Sequence, residues 1–371
     1  MNRNTKILTI VIVVVAVCAI AFFGIRNQMK QHSSDDKNVI KIGAILAMTG
    51  PGAEYGQEAL DALKTAILYN QDLCKKNNVR FELVVEDSKT VAKDGLNAYN
   101  AIKLKHPDIS VVFSHASAVT NLLSSYSKKD KMILVAEATN STPAENNPFY
   151  YINQIDDYVT SKLLLDHATD VDKILLFYLN DDFGSNIYKK MKDAGSVKVD
   201  GVSFEHTSNL KDIVAKASIN NYKKIAVAGY GMSSVNIIRE IKSAGYSGIV
   251  LVSPGLLTVE NKKILKDYAS NVFFVVSEIP GEDIARIYKE NFGRTFFSST
   301  SIDFFSAGDA VIKSYNMVLE DNIPFNKITS TDIKNKLDTQ FLNVKAFPFE
   351  SITNQRFNYK GSFKTIDGER L

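Results

Sequence analysis

The sequence predicts an α/β protein of two doubly wound, Rossmann-like lobes, each with a parallel central sheet, and three observations carry this. Short runs rich in Val and Ile alternate with amphipathic stretches, those runs are apolar on both faces, and the rhythm restarts after a break near residue 145. Strands apolar on both faces must be covered on both, and strand–helix–strand alternation closes by right-handed crossovers onto a parallel sheet. At 371 residues and 45% hydrophobic content, the chain can fill two cores.

The first element belongs to neither lobe. Residues 7–25 hold no charge and follow Arg3 and Lys6, and as a helix they would span about 28 Å. They read as an N-terminal transmembrane anchor, with a cleaved export signal as the alternative. Lipidation at Cys18 fits less well, because Val17 precedes it and apolar residues follow it. Either way the bulk is expected on the extracytoplasmic face of the membrane. Residues 27–38 are polar and read as a linker. The formal charge of +3 lies in this tether: residues 39–371 hold 39 basic and 39 acidic side chains. Nucleic acid is therefore not an expected partner. Beyond the anchor only Cys74 remains, so no intramolecular disulfide staples the body.

In the first lobe, strands are expected at 39–48, 80–86, 109–113 and 131–136, with helices at 56–70, 92–104 and 119–129. A Pro/Asn-rich break covers 140–148. Second-lobe strands are expected at 173–179, 202–206, 224–229, 248–252 and 272–277. Helical patterns at 284–292, 304–320 and 331–337 follow, then β segments at 356–359 and 363–366. The late helices return to the first lobe, so the expected boundaries are 39–155 plus 279–346 for one lobe and 156–278 plus 347–371 for the other.

No enzyme signature survives inspection. Gly229-Tyr230-Gly231-Met232-Ser233-Ser234 lacks the third glycine of a dinucleotide loop, and the next strand ends without an acidic residue. Gly50-Pro51-Gly52 is not followed by Gly-Lys-Ser/Thr. There is no nucleophile elbow, and the five histidines show no metal-ligand spacing. Neither catalysis, a cofactor nor a metal is expected. What remains is a set of strand-to-helix loops, where open α/β sheets bind ligands. Ser117 and Thr139 begin such loops; a hydroxyl and free N–H groups at a helix start can hold an anion, although plain capping is the commoner role. Tyr55, Phe183 and Tyr230 occupy equivalent loops of the two lobes and could form apolar walls.

At these residues the chain resembles the branched-chain amino-acid type of periplasmic solute-binding protein, the capturing component of an ABC importer. The resemblance rests on Ile42-Gly43-Ala44, Met48-Thr49-Gly50-Pro51 with Tyr55-Gly56, Ser117-Ala118-Val119-Thr120, Glu137-Ala138-Thr139-Asn140, Asp182-Phe183-Gly184, Gly229-Tyr230 and the helix at 307–320. It implies a type I periplasmic-binding fold, two lobes joined by a three-crossover hinge that close on a small molecule, with an ABC permease as partner. By similarity Ser117 and Thr139 would anchor a carboxylate, Ala138 would give a backbone contact, and Tyr55, Phe183, Tyr230 and Phe304 would line the pocket. One position departs. The acidic residue that holds an ammonium in amino-acid binders is Gly255 in Ser253-Pro254-Gly255; Asp156 or Asp157, near the first crossover, could stand in for it. An amino acid, another carboxylate or an amide all fit. A ligand-sensing receptor, or a degenerate cleft acting in protein interaction, is the alternative to import.

Overall fold

The computed structural model describes residues 38–277, 281–295, 298–342, 349–359 and 362–366. The apolar run at 7–25 lies outside these residues; among the described residues no helix is long and apolar enough to cross a membrane.

The first lobe is built on β1 (Val39–Leu46), β2 (Arg80–Asp87), β3 (Val111–His115), β4 (Ile133–Glu137) and β5 (Tyr150–Ile152), paired in parallel. Helices α1 (Ala53–Tyr69), α2 (Gln71–Lys76), α3 (Ala92–Lys105), α4 (Ser117–Asp130) and α5 (Thr142–Asn146) connect them. Every residue of β3 and β4 is buried, as two covered faces require. The second lobe runs α6 (Asp157–Asp166), β6 (Lys173–Leu179), α7 (Asp182–Ala194), β7 (Lys198–Phe204), α8 (Leu210–Lys216), β8 (Lys224–Ala228), α9 (Gly231–Ser243), β9 (Ile249–Val252), α10 (Val259–Leu265) and β10 (Val272–Val276). The chain then returns to pack α11 (Glu282–Phe292) and α12 (Ser299–Glu320) on α1, and α13 (Ser330–Gln340) on α12.

The C-terminal segment departs from the expected boundary. Residues 349–359 were expected in the second lobe, but they form β11 (Phe349–Thr353) and β12 (Arg356–Tyr359) on the first lobe's sheet, in the order β11-β12-β5-β4-β3-β1-β2. A tight turn with Asn354 and Gln355 both at positive φ makes the hairpin. Its second strand covers the edge of β5, which would otherwise be left unpaired: Ile152 N–H donates to the Gln355 carbonyl at 2.8 Å. Only β13 (Ser362–Lys364) joins the second sheet, antiparallel to β10, in the order β13-β10-β9-β8-β6-β7. The chain thus crosses between lobes after β5, after β10 and after β12.

Both lobes press a helix start against a strand end by the same device. A Cβ on Gly56 would stand 2.1 Å from the Ala47 carbonyl oxygen, and one on Gly184 would stand 2.2 Å from that of Leu179. Only glycine allows these approaches, which aim the first turns of α1 and α7 at the space between the lobes. The start of α12 lies five residues ahead of the expected one, because Ser298 caps the helix by accepting from Ser301 N–H at 3.0 Å. A run of four hydroxyl residues reads as a loop in sequence, yet here it forms the first helical turn.

Candidate functional site

The carboxyl ends of the strands in both lobes face each other, and a cavity of about 160 Å³ lies between them. The first lobe contributes Tyr55, Thr90, the segment 115–118, Glu137 and Thr300. The second contributes Asp181, Phe183, Tyr230 and Gly255, and Gln154 enters from the first crossover. Of the residues singled out in the sequence, Tyr55, Ser117, Phe183 and Tyr230 line this cavity. Ala138 and Thr139 are buried off its wall, and the Thr139 hydroxyl has no hydrogen-bond partner there.

Two expectations meet different surroundings. Asp156 does not line the cavity; its carboxylate caps α6 by accepting from Val159 N–H at 2.8 Å and pairs with Arg356 at 2.9 Å. It is occupied as a structural anion. Phe304 is fully buried in the first lobe's core, against Phe113 at 6.1 Å between ring centres, and reaches no cavity surface.

The cleft is closed across its mouth. Gly231 N–H at the start of α9 donates to the Tyr55 hydroxyl at 2.9 Å, and the Asn261 amide reaches the same oxygen at 3.4 Å. Glu260 N–H donates to Glu54 at 3.3 Å, and the Asn121 amide to Asp182 at 3.2 Å. Tyr55 stacks on His115 at 6.1 Å and meets Tyr230 edge-on at 6.3 Å, while Phe183 meets Tyr230 edge-on at 5.9 Å. Burial pushes the Tyr55 and Tyr230 hydroxyls above their ordinary pKa, so both stay neutral donors and acceptors.

One end of the cavity suits an anion. Ala116, between β3 and α4, holds φ of 75°, which a residue with a side chain adopts only at a cost of about 1–3 kcal/mol. It makes no side-chain cap, so the Ser117 and Ala118 N–H groups of the first turn and the Ser117 hydroxyl border the cavity with the positive end of a 14-residue helix behind them.

The other end is acidic, and the sequence did not point to it. His115 and Glu137 end neighbouring strands in register, with Nε2 and Oε2 3.4 Å apart. Burial depresses the His115 ring to about 4 and raises the Glu137 carboxyl to about 8, the latter opposed by the Thr300 hydroxyl and reinforced by Glu58. At neutral pH both are therefore uncharged, and their contact is not an ion pair. Thr300 Oγ1 donates to Glu137 Oε1 at 2.8 Å, whereas Glu137 Oε2 and His115 Nδ1 have no hydrogen-bond partner. Asp181, the other wall carboxyl, caps α7 by accepting from Gly184 N–H at 2.9 Å; burial raises it, against that N–H and the Tyr230 hydroxyl. Among the described residues no cluster could hold a metal ion.

A sequence model described as periplasmic binding protein matches residues 39–313. No curated protein matches the sequence. Among solved structures, the chain is similar to the branched-chain amino acid transporter substrate-binding protein LivJ from Streptococcus pneumoniae in complex with isoleucine, at a TM-score of 0.77 and 15% identity, covering 90% of this chain and 99% of that one. It is also similar to a possible leucine/isoleucine/valine-binding protein from Rhodopirellula baltica, at 0.78 and 15%, covering 91% and 97%. A fatty acid ABC transporter substrate-binding protein from Thermomonospora curvata aligns at 0.74 and 14%, covering 88% of both chains. At these identities the likeness is one of fold, the two-lobed type I periplasmic-binding fold described above.

Proposed function

Because the chain belongs to the periplasmic binding protein family, we propose that it captures a small carboxylate-bearing molecule, an amino acid or a relative of one, by closing its lobes, and delivers it to an ABC importer on the extracytoplasmic face of the membrane. The observation that carries this is the uncapped start of α4. Ser117 and Ala118 offer N–H groups and a hydroxyl to a cavity between the lobes that Tyr55, Phe183 and Tyr230 also line. Helix-start donors without a side-chain cap, beside three aromatic side chains, suit an anionic end joined to an apolar body. Isoleucine and a fatty acid, named for two of the similar structures, share such a carboxylate.

Closure follows from ligand contacts to both lobes. A molecule held at α4 and touching Phe183 and Tyr230 stabilises the closed form by its second-lobe contacts, and a permease would read that form. Thermal melting of the purified protein against amino acids, simple carboxylates, amides and aromatic acids tests this. At a concentration 100-fold above Kd a ligand adds about 2.7 kcal/mol of stability. A shift with a carboxylate class that Ser117→Ala weakens supports the reading; no shift with any of them refutes it.

A further inference from the structure

Resting on that reading, we infer that Glu137 is a cation anchor, so that the ligand carries an ammonium beside its carboxylate and displaces the Glu137 proton on entering. Where lobe 2 reaches the cavity at Ser253-Pro254-Gly255, glycine at φ 89° supplies no side chain. The second lobe's wall carboxyl, Asp181, is engaged as the cap of α7, and the acid with an unpartnered oxygen lies on the first lobe, at the end of β4. Glu137 is 4% exposed, lines the cavity, and keeps one carboxyl oxygen without a partner.

The strand register sets the anion end and the acid side by side. β3 and β4 are neighbours with His115 opposite Glu137, and Ser117 lies two residues beyond His115. The acid therefore lies on the strand beside the one that leads into the anion end, with its backbone about 4.8 Å across the sheet from that of His115. A zwitterion held by its carboxylate at α4 presents its ammonium toward β4.

The surroundings favour a cation over a neutral polar group. Glu137 is faced by His115 from β3, Glu58 from α1, Thr300 and Asp303 from α12, and Tyr359 from β12. Among the described residues no lysine or arginine pairs with Glu137 or Asp303, and none lines the cavity. Among the described residues on the wall the one basic group, His115, is held neutral by burial. A carboxyl kept protonated by burial among acids exchanges its proton for a buried ammonium readily, since the ammonium brings the charge that the site lacks. The released proton goes to solvent, because protonating His115 would place a second cation in the same enclosure.

Calorimetric titration of the purified protein with each standard L-amino acid, and with the des-amino carboxylate of any that binds, tests this. Run at pH 7 in two buffers of different ionisation enthalpy, it counts protons. With Glu137 titrating near 8 in the empty protein, an amino acid should release about 0.9 proton and bind roughly 50-fold more tightly at pH 8 than at pH 6. Its des-amino partner should bind at least tenfold more weakly. Glu137→Gln should abolish the proton release and weaken the amino acid while sparing the des-amino acid. Equal affinity for the two ligands, or no proton release, overturns the inference and leaves the carboxylate site standing. Failure of every carboxylate to bind overturns both. Should the variant not fold, the proton count and the paired ligands on the unaltered protein still decide.

Discussion

Glu137→Gln should stabilise the empty protein, and by an amount that grows with pH. Glutamine keeps the carbonyl oxygen that accepts from Thr300 and removes the ionisable group. Burial is the main cause that lifts the Glu137 carboxyl from its ordinary value of 4.5 to about 8. Between these values the folded state binds a proton that the unfolded state has lost, so folding stability falls as pH rises through that window and levels off above the folded pKa. Each pH unit removes about 1.4 kcal/mol. The advantage of the variant should thus widen by roughly 2–3 kcal/mol between pH 6 and pH 8. His115 acts in the opposite sense: its ring, depressed to about 4, favours the folded state as pH rises toward the ordinary histidine value. That contribution is common to both proteins and cancels in the difference. Urea unfolding at several pH values reads the quantity directly. A pH-independent difference, or a variant less stable at pH 8, would refute the account of a protonated buried carboxyl.

Three further outcomes follow from the same geometry. Tyr55→Phe removes the acceptor for the buried Gly231 N–H across the cleft, a loss of about 1–3 kcal/mol; the closed fraction should drop, and small-angle scattering should give a larger radius of gyration. Gly56→Ala puts a Cβ 2.1 Å from a carbonyl oxygen and should lower the melting temperature by about 5 °C or more, measured by circular dichroism. Asp156→Ala takes away the α6 cap and the partner of Arg356, so stability should fall by about 1–3 kcal/mol while affinity for whichever carboxylate binds stays unchanged by calorimetry.

Much of the fold is legible in the sequence because its strands are apolar on both faces and its helices follow strand ends at regular intervals. The runs at 109–113, 131–136, 173–179 and 224–229 each lie within two residues of an observed strand at either end. Sheet membership of the last strands is not legible in this way. β12 sits beside β5, some 200 residues earlier in the chain, with β11 on its outer edge, and nothing in their local pattern names that partner. Of the cavity residues, Tyr55, Ser117, Phe183 and Tyr230 are found by position alone, since they follow strand ends. Glu137 also ends a strand, but one acid after an apolar run reads as a solvated boundary until burial is known. Asp156 misleads for the complementary reason: a carboxylate near a crossover has two possible partners, and the helix start beside it together with Arg356 occupies both of its oxygens.

The first turns of α12 join the cavity floor to the hinge. Ser298 donates to Glu58, Thr300 to Glu137, and Asp303 lies one turn further on. Ser277, which ends the second crossover's strand, reaches the Asp303 carboxyl at 3.4 Å. Tyr359, at the end of β12 and the start of the third crossover, places its hydroxyl 3.2 Å from the Asp303 carbonyl and 2.6 Å from Asn153 on the first. One helical residue therefore touches two connections directly and the remaining one through Tyr359. Burial, and then the charge of Glu137, push the Asp303 carboxyl well above its ordinary range, so this knot is held by neutral groups. Two adjacent buried anions would repel each other at the pivot and weaken the bonds that align the three connections. If Glu137 ionises only when an incoming ammonium balances it, the pivot never faces that repulsion. The residue that senses the ligand, on the cavity wall, and the residue that ties the hinge, buried behind it, then stay compatible throughout closure.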